Sequence, residues 1–182
     1  MLINVEGPPT EADSGFKEAN INHLVYAIVS PILDTFIQRT GRENVRLRSE
    51  KEIVSTDGET GGEEKFVIVD LIQVRREDFI LIVEAKRSSL GQAMKQCLLA
   101  MKDMRDNNGV GEVFGFVTTG KSWKMLRYDG GSFRMSEEML IIFDTMGSDR
   151  QRWMDSCSIA VECIYFALSH GGMERKGVVV EG

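Results

Sequence analysis

The sequence predicts an α/β domain, and three observations carry that prediction. Apolar residues recur at helical spacing between Phe16 and Arg39. Three short segments rich in Val, Ile and Leu follow, bounded by polar or Gly-containing runs as strands are. A second helical stretch and another pair of strands come next, so the order reads α-β-β-β-α-β-β before the more mixed C-terminal part.

Residues 1–13 contain two prolines and no periodic pattern, and read as a loose N-terminal arm. Ser14 is the expected N-cap of the first helix. Its core face is Ile21, Leu24, Val25, Ile28, Ile32, Leu33 and Phe36. Pro31 lies inside this run, which predicts a kink or a break, and Gly41 marks the C-terminal stop.

Asn44 to Ser55 reads as a strand with Val45, Leu47, Ile53 and Val54 between charges, and Asp57 to Glu64 as a turn or loop. Phe66–Val74 and Phe79–Lys86 read as strands of a hairpin closing over Arg75-Arg76-Glu77-Asp78. Ser88 or Ser89 caps a second helix that ends near Asn107-Asn108-Gly109. Val113–Thr118 and Ser122–Tyr128 are strands around a turn at Thr119-Gly120, and Met139–Phe143 is a further strand. Residues 149–169 read as a third helix, followed by a Gly-rich tail at 171–182. No repeat or linker divides residues 14–170, so one domain is expected.

Bulk properties narrow the class. The chain has 182 residues, enough for one ordinary core. No apolar run is long enough to span a bilayer, and the N-terminus lacks the basic and apolar regions of a signal peptide. Cys97, Cys157 and Cys163 form no CxxC pair, which favours reduced thiols in an intracellular protein. A net charge of −6 counts against a strongly basic nucleic-acid binder but leaves room for a local basic face.

The hairpin carries the chemistry. Glu84 and Lys86 stand two apart and share one strand face, while Ala85 points away. If the hairpin closes over residues 76–78, Asp70 lies opposite Glu84, and directly opposed residues have Cβ atoms about 4.5–5.5 Å apart. Two adjacent carboxylates repel unless a cation joins them. Mg²⁺ takes one or two carboxylates and keeps several waters, one of which can attack phosphorus. Asp70 and Glu84 are thus candidate metal ligands, and Lys86 a candidate to orient that water and stabilise developing charge. The same residues could instead form an ion-paired cluster at a strand end.

On Asp70, Glu84-Ala85-Lys86 and the α-βββ-α-β order, the sequence resembles the PD-(D/E)xK, restriction-endonuclease-like nucleases. The likeness runs from about Ser14 to Tyr128, although Val69 stands where the motif often has proline. The resemblance implies a central mixed sheet flanked by helices and hydrolysis of DNA, with RNA the alternative substrate, using Mg²⁺ or Mn²⁺. It implies that Asp70, Glu84, the backbone carbonyl of Ala85 and Glu18 on the first helix hold the metal. Catalytic residues would be Asp70, Glu84, Lys86 and Gln96, with Gln92 one turn earlier on the same face. Glu18 reads equally as a first-turn carboxylate favoured by the helix dipole, and Gln96 as an exposed helix residue. Arg46, Arg48 and Arg87, with Lys51, Arg75 and Arg76, are candidate phosphate contacts or solvated charge. Homodimers are common in the superfamily, and Trp153, Ile159, Ile164 and Phe166 on the third helix would either form such an interface or cover the sheet. A catalytically inactive nucleic-acid-binding or protein-interaction module on the same fold is the alternative.

Gly115 to Ser122 also matches the phosphate-loop string G-x-x-x-x-G-K-[ST], and Leu140–Asp144 imitates the acidic strand that accompanies it. That motif needs a helix after the loop, whereas Trp123–Tyr128 alternates as a strand, so a nucleotide-binding loop is the remote reading. His23 and His170 have neither metal-ligand nor triad spacing.

Overall fold

A computed structural model describes residues 18–54, 58, 61–73, 76–86, 90–141 and 147–172, with side chains omitted at 18–19, 50–52, 61–65, 72–73, 76 and 156. Among these residues three helices, α1 (Glu18–Thr40), α2 (Leu90–Asn108) and α3 (Arg150–His170), flank a mixed sheet. Its strands are β1 (Val45–Val54), β2 (Gly61–Gln73), β3 (Arg76–Ala85), β4 (Val113–Thr118), β5 (Ser122–Tyr128), β6 (Phe133–Met135) and β7 (Met139–Leu140). They lie in the order β1-β2-β3-β4-β5-β6, with β7 also on β5. Neighbours are antiparallel except β3 and β4, which run parallel because α2 carries the chain back between them.

Both faces of the central strands are covered, which explains their unbroken apolar runs. Val45, Phe66, Ile68, Leu81, Val83, Phe114, Phe116 and Trp123 pack with α1 and α3. Val67, Val69, Ile82, Val113, Val117, Leu126 and Tyr128 pack with α2 through Ala93, Cys97, Met101 and Met104. Gly115 lies on the α2 side, where a Cβ would come within 2.4 Å of Cys97 Sγ. The far end of the β1–β2 ribbon curls over α2, so Ile53 joins the α2-side core and the Val54 carbonyl accepts from Asn107 Nδ2 at 2.8 Å.

α1 runs through Pro31 without a break. The amide that proline lacks would have bonded the Ala27 carbonyl, and Ala27 sits on the exposed side of the helix, where losing that bond costs least. Gly41 ends α1 with φ +67°, its amide donating to the Ile37 carbonyl at 2.8 Å. α3 begins at Asp149, whose carboxylate accepts from the Arg152 amide at 3.1 Å. Ile164 on α3 is buried against the sheet, whereas Ile159 and Phe166 remain exposed. The three cysteines are free thiols. Among the described residues, no helix is long and apolar enough to cross a membrane.

The hairpin register departs from the expected one. Asp70 stands opposite Asp78, and Phe66 opposite Val83, because β2 runs on to Gln73, which pairs with Arg76 at the start of β3. Correspondingly, β2 starts at Gly61, inside the segment expected to be a loop. The expected register would set Val67 and Ile68 beside Arg87 and Lys86. The observed one sets them beside Ile82 and Leu81, all four fully buried. Burying an aliphatic side chain is worth about 1.5–3 kcal/mol, so apolar pairing outweighs a register that brings two carboxylates together. Bulges between Ile68 and Val69 and between Leu71 and Gln73 adjust the pairing locally.

Candidate functional site at the carboxyl end of β3

Glu84 occupies the penultimate position of β3 and is 3 % exposed. Val83 and Ala85 pack with α1 and α3, so alternation turns Glu84 to the α2 side. Its cross-strand neighbour on β4 is Val117, and Val117 in turn faces Lys124 on β5. Glu84, Val117 and Lys124 therefore form one row, with Lys124 about 10 Å from Glu84, two inter-strand spacings away. Among the described residues, no hydrogen bond or ion pair reaches the Glu84 carboxylate. Lys86 continues the path beyond the strand, its amide donating to the Thr118 carbonyl at 3.0 Å.

All three helices start at this end of the sheet. α2 follows Lys86 directly, which brings Gln92 and Gln96, both exposed on its first two turns, to the same end. The start of α1 packs on the β4–β5 turn, where Ile21 and Leu24 line the space beside Gly120. α3 leaves from beside β7, with Cys157 near the Leu140 carbonyl, and runs in the same direction as α1: Phe36 meets Tyr165 edge-on at 5.4 Å. The positive ends of three helix dipoles thus face one edge, beside Lys86, Lys121 and Lys124. The turn there is rigid. Thr118 Oγ1 accepts from the Gly120 amide at 2.8 Å, and Trp123 Nε1 donates to the Gly120 carbonyl at 2.9 Å.

The turn does not open a helix. Ser122 begins β5, so the G-x-x-x-x-G-K-S string is a strand–turn–strand, as its alternation predicts, without the helix that a nucleotide-binding loop needs. The run beyond Ile141 toward Asp144 lies outside the described residues.

Asp70 is not at this end. Continuing the register from Phe66 opposite Val83 sets Glu84 beside position 65, five residues from Asp70. That is about 17 Å along the strand. The two residues also face opposite layers: Asp70 pairs with Val45 of the α1/α3 core and bonds Arg42, whereas Glu84 faces α2. The expected convergence of Asp70 with Glu84 and Lys86 is therefore corrected. Arg42 Nη2 lies 2.5 Å from Asp70 Oδ2, while Arg42 Nη1 donates to the Leu168 carbonyl at 3.0 Å. Among the described residues, no group of three His, Cys, Asp or Glu is placed to hold a metal ion. A metal centre shared by Asp70 and Glu84 does not fit this geometry.

The remaining candidates divide. Ala85 lies fully buried at the same end as Glu84. Glu18 is the first residue of α1, so its backbone is at this end, but its side chain lies outside the described residues, as does all of Arg87. Arg46 is engaged with its own strand, donating to the Val45 carbonyl at 2.9 Å. Arg48 approaches Glu77 at 3.7 Å. Both lie on β1, at the sheet edge remote from Lys124. Sequence reasoning missed Lys124. Its alternation within Ser122–Tyr128 was visible, but its row with Glu84 depends on pairing across β3, β4 and β5.

No protein-family model matches the chain, and no curated protein matches it.

Proposed function

We propose that the chain is a non-catalytic nucleic-acid-binding module on a restriction-endonuclease-like core, contacting phosphates at the carboxyl end of β3. The α-βββ-α-β order supports the core assignment, as α1, β1–β3, α2 and β4 follow one another in that sequence. The observation that carries the non-catalytic reading is the ion pair of Asp70 with Arg42 on the opposite layer from Glu84. A carboxylate committed to a guanidinium there is not available to a metal beside Lys86. Lys86, Lys121 and Lys124, with three helix N-termini, give this end the local positive character that phosphate binding uses, despite the overall acidity.

The test is fluorescence anisotropy with labelled DNA and RNA, in EDTA and in Mg²⁺, across a salt series. Binding that persists in EDTA, weakens as salt rises and falls in Lys86→Ala and Lys124→Ala supports the reading. Mg²⁺- or Mn²⁺-dependent cleavage that disappears in both Asp70→Ala and Glu84→Ala overturns it.

One observation favours the nuclease as second reading: a carboxylate as buried as Glu84, with no partner among the described residues, is costly unless something pairs with it. A divalent ion held by Glu84 and the Ala85 carbonyl would need its other ligands from water and substrate phosphate. Calorimetric titration with Mg²⁺ and Mn²⁺ separates the readings. Metal binding that Glu84→Gln removes and Asp70→Asn leaves intact favours the second.

A further inference from the structure

A second surface, away from the Glu84 end, has the chemistry of a base-stacking platform. Tyr128 on β5 and Phe133 on β6 are directly paired, and their rings stack with centroids 4.1 Å apart and planes 12° from parallel. Tyr128 is buried in the α2-side core, whereas Phe133 is 44 % exposed. Among the described residues β6 is the last strand of the sheet, and no described strand lies beyond the outer face of the Phe133 ring. Met135, two residues on and 57 % exposed, extends the apolar strip on the same face.

A cation borders the platform. Arg105 of α2 reaches over the β5–β6 turn, its guanidinium within 3.3 Å of where a Gly130 Cβ would be, and its buried Nε has no hydrogen-bond partner among the described residues. The nearby carboxylate of Asp129 is held by its own turn, accepting from the amides of Gly131 and Ser132 and from the Ser132 hydroxyl.

We propose that Phe133, backed by Tyr128 and with Arg105 over the adjoining turn, stacks a nucleobase of a single strand and holds its phosphate. The occupant follows from the geometry. An added peptide strand would need a long row of free backbone groups, but β6 has three residues. A flat aromatic face already in a stack accepts another planar ring regardless of base identity, and the guanidinium at the adjoining turn matches a phosphate. This inference rests on the nucleic-acid reading but shares no residue with it. The platform lies five residues along β5 from Trp123 and three strands from β3, about 22 Å from the Glu84 end.

The experiment uses the full chain and a single-stranded oligonucleotide carrying 2-aminopurine, read by anisotropy and by quenching of the base on stacking. Phe133→Leu keeps the apolar bulk at an exposed edge, so folding is retained, and removes the ring. It should weaken single-strand binding about tenfold and abolish the quenching, with duplex binding unchanged. Arg105→Gln should weaken binding and flatten its salt dependence. Single-strand affinity and quenching that survive Phe133→Leu overturn the platform. If Lys86→Ala then still lowers binding, the sheet-end reading stands without it. If Phe133→Leu abolishes quenching while Lys86→Ala has no effect, the platform stands and the sheet-end reading falls. A wild-type chain that binds no single strand overturns the platform, and one that binds neither single strand nor duplex overturns both.

Discussion

The Arg42 guanidinium meets the Asp70 carboxylate at 2.5 Å, with side-chain exposures of 14 % and 13 %. One contact ties three elements. Arg42 follows the end of α1 and also caps the Leu168 carbonyl near the end of α3, while Asp70 lies on β2. The guanidinium further sits 5.6 Å from the Phe36 ring centroid. This arrangement holds the α1/α3 layer on the sheet, and it gives Asp70 a structural role.

Asp70→Asn should therefore destabilise the fold by about 3 kcal/mol, because it leaves a largely buried guanidinium without its counter-charge. Urea unfolding followed by circular dichroism measures this. Replacing both partners, as in Arg42→Met with Asp70→Leu, should recover much of the loss, since an ion pair of low exposure is replaceable by apolar packing. Wild-type stability in Asp70→Asn would remove the structural role and return Asp70 to consideration as a ligand.

Asn108, the last residue of α2, substitutes for a missing stretch of β4. Its side-chain oxygen accepts from the Phe79 amide at 2.8 Å, and its Nδ2 donates to the Phe79 carbonyl at 2.8 Å. These bonds satisfy strand groups just before β4 takes over at Leu81. Asn108→Ala leaves two buried backbone groups unpaired, which should cost about 2–4 kcal/mol. Hydrogen exchange should locate the effect: the Phe79 amide should lose protection while amides of β4 and β5 keep theirs.

Gly115 is required by packing and not by phosphate. A Cβ there would lie 2.4 Å from Cys97 Sγ and 2.5 Å from Met101 Sδ, both on α2. Gly115→Ala should destabilise by about 1–3 kcal/mol through overpacking. Pairing it with Cys97→Ala, which withdraws the nearer sulfur, should return part of that loss. Nucleotide binding by the wild-type chain that Gly115→Ala abolishes would contradict this account.

The elements were legible wherever the signal was local. Val113–Thr118 and Ser122–Tyr128 have the bounds that alternation predicts, because each strand is enclosed by turn residues. The β2–β3 register was not legible. Asp70 and Glu84 lie at plausible distances from any turn between them, and the choice among registers is made by which apolar residues bury one another on both faces. Carboxylate spacing carries no information about that. Lys124 was hidden for the same reason: its place in the Glu84 row is a product of three strand pairings. β6, with three exposed residues, has no apolar pattern to announce it.

Asp129 offers a pH test of the turn that shapes the platform. Its carboxylate accepts from the Gly131 and Ser132 amides and the Ser132 hydroxyl, which lowers its pKa from 3.8 to about 2. A carboxyl depressed in the folded state stabilises the fold above its unfolded pKa, and that contribution is lost as pH falls through the folded one. The window therefore runs from about pH 4 down to about pH 2. In Asp129→Asn the side-chain oxygen still accepts the turn amides, so the hairpin should persist without this pH dependence. Carboxyl titration by NMR is the direct measurement: Asp129 should titrate at about pH 2, and the Tyr128–Phe133 ring-current shifts should relax in the same range in the wild type but not in Asp129→Asn. An Asp129 midpoint in the ordinary carboxylate range would show that the turn does not hold the carboxylate as the hydrogen bonds require.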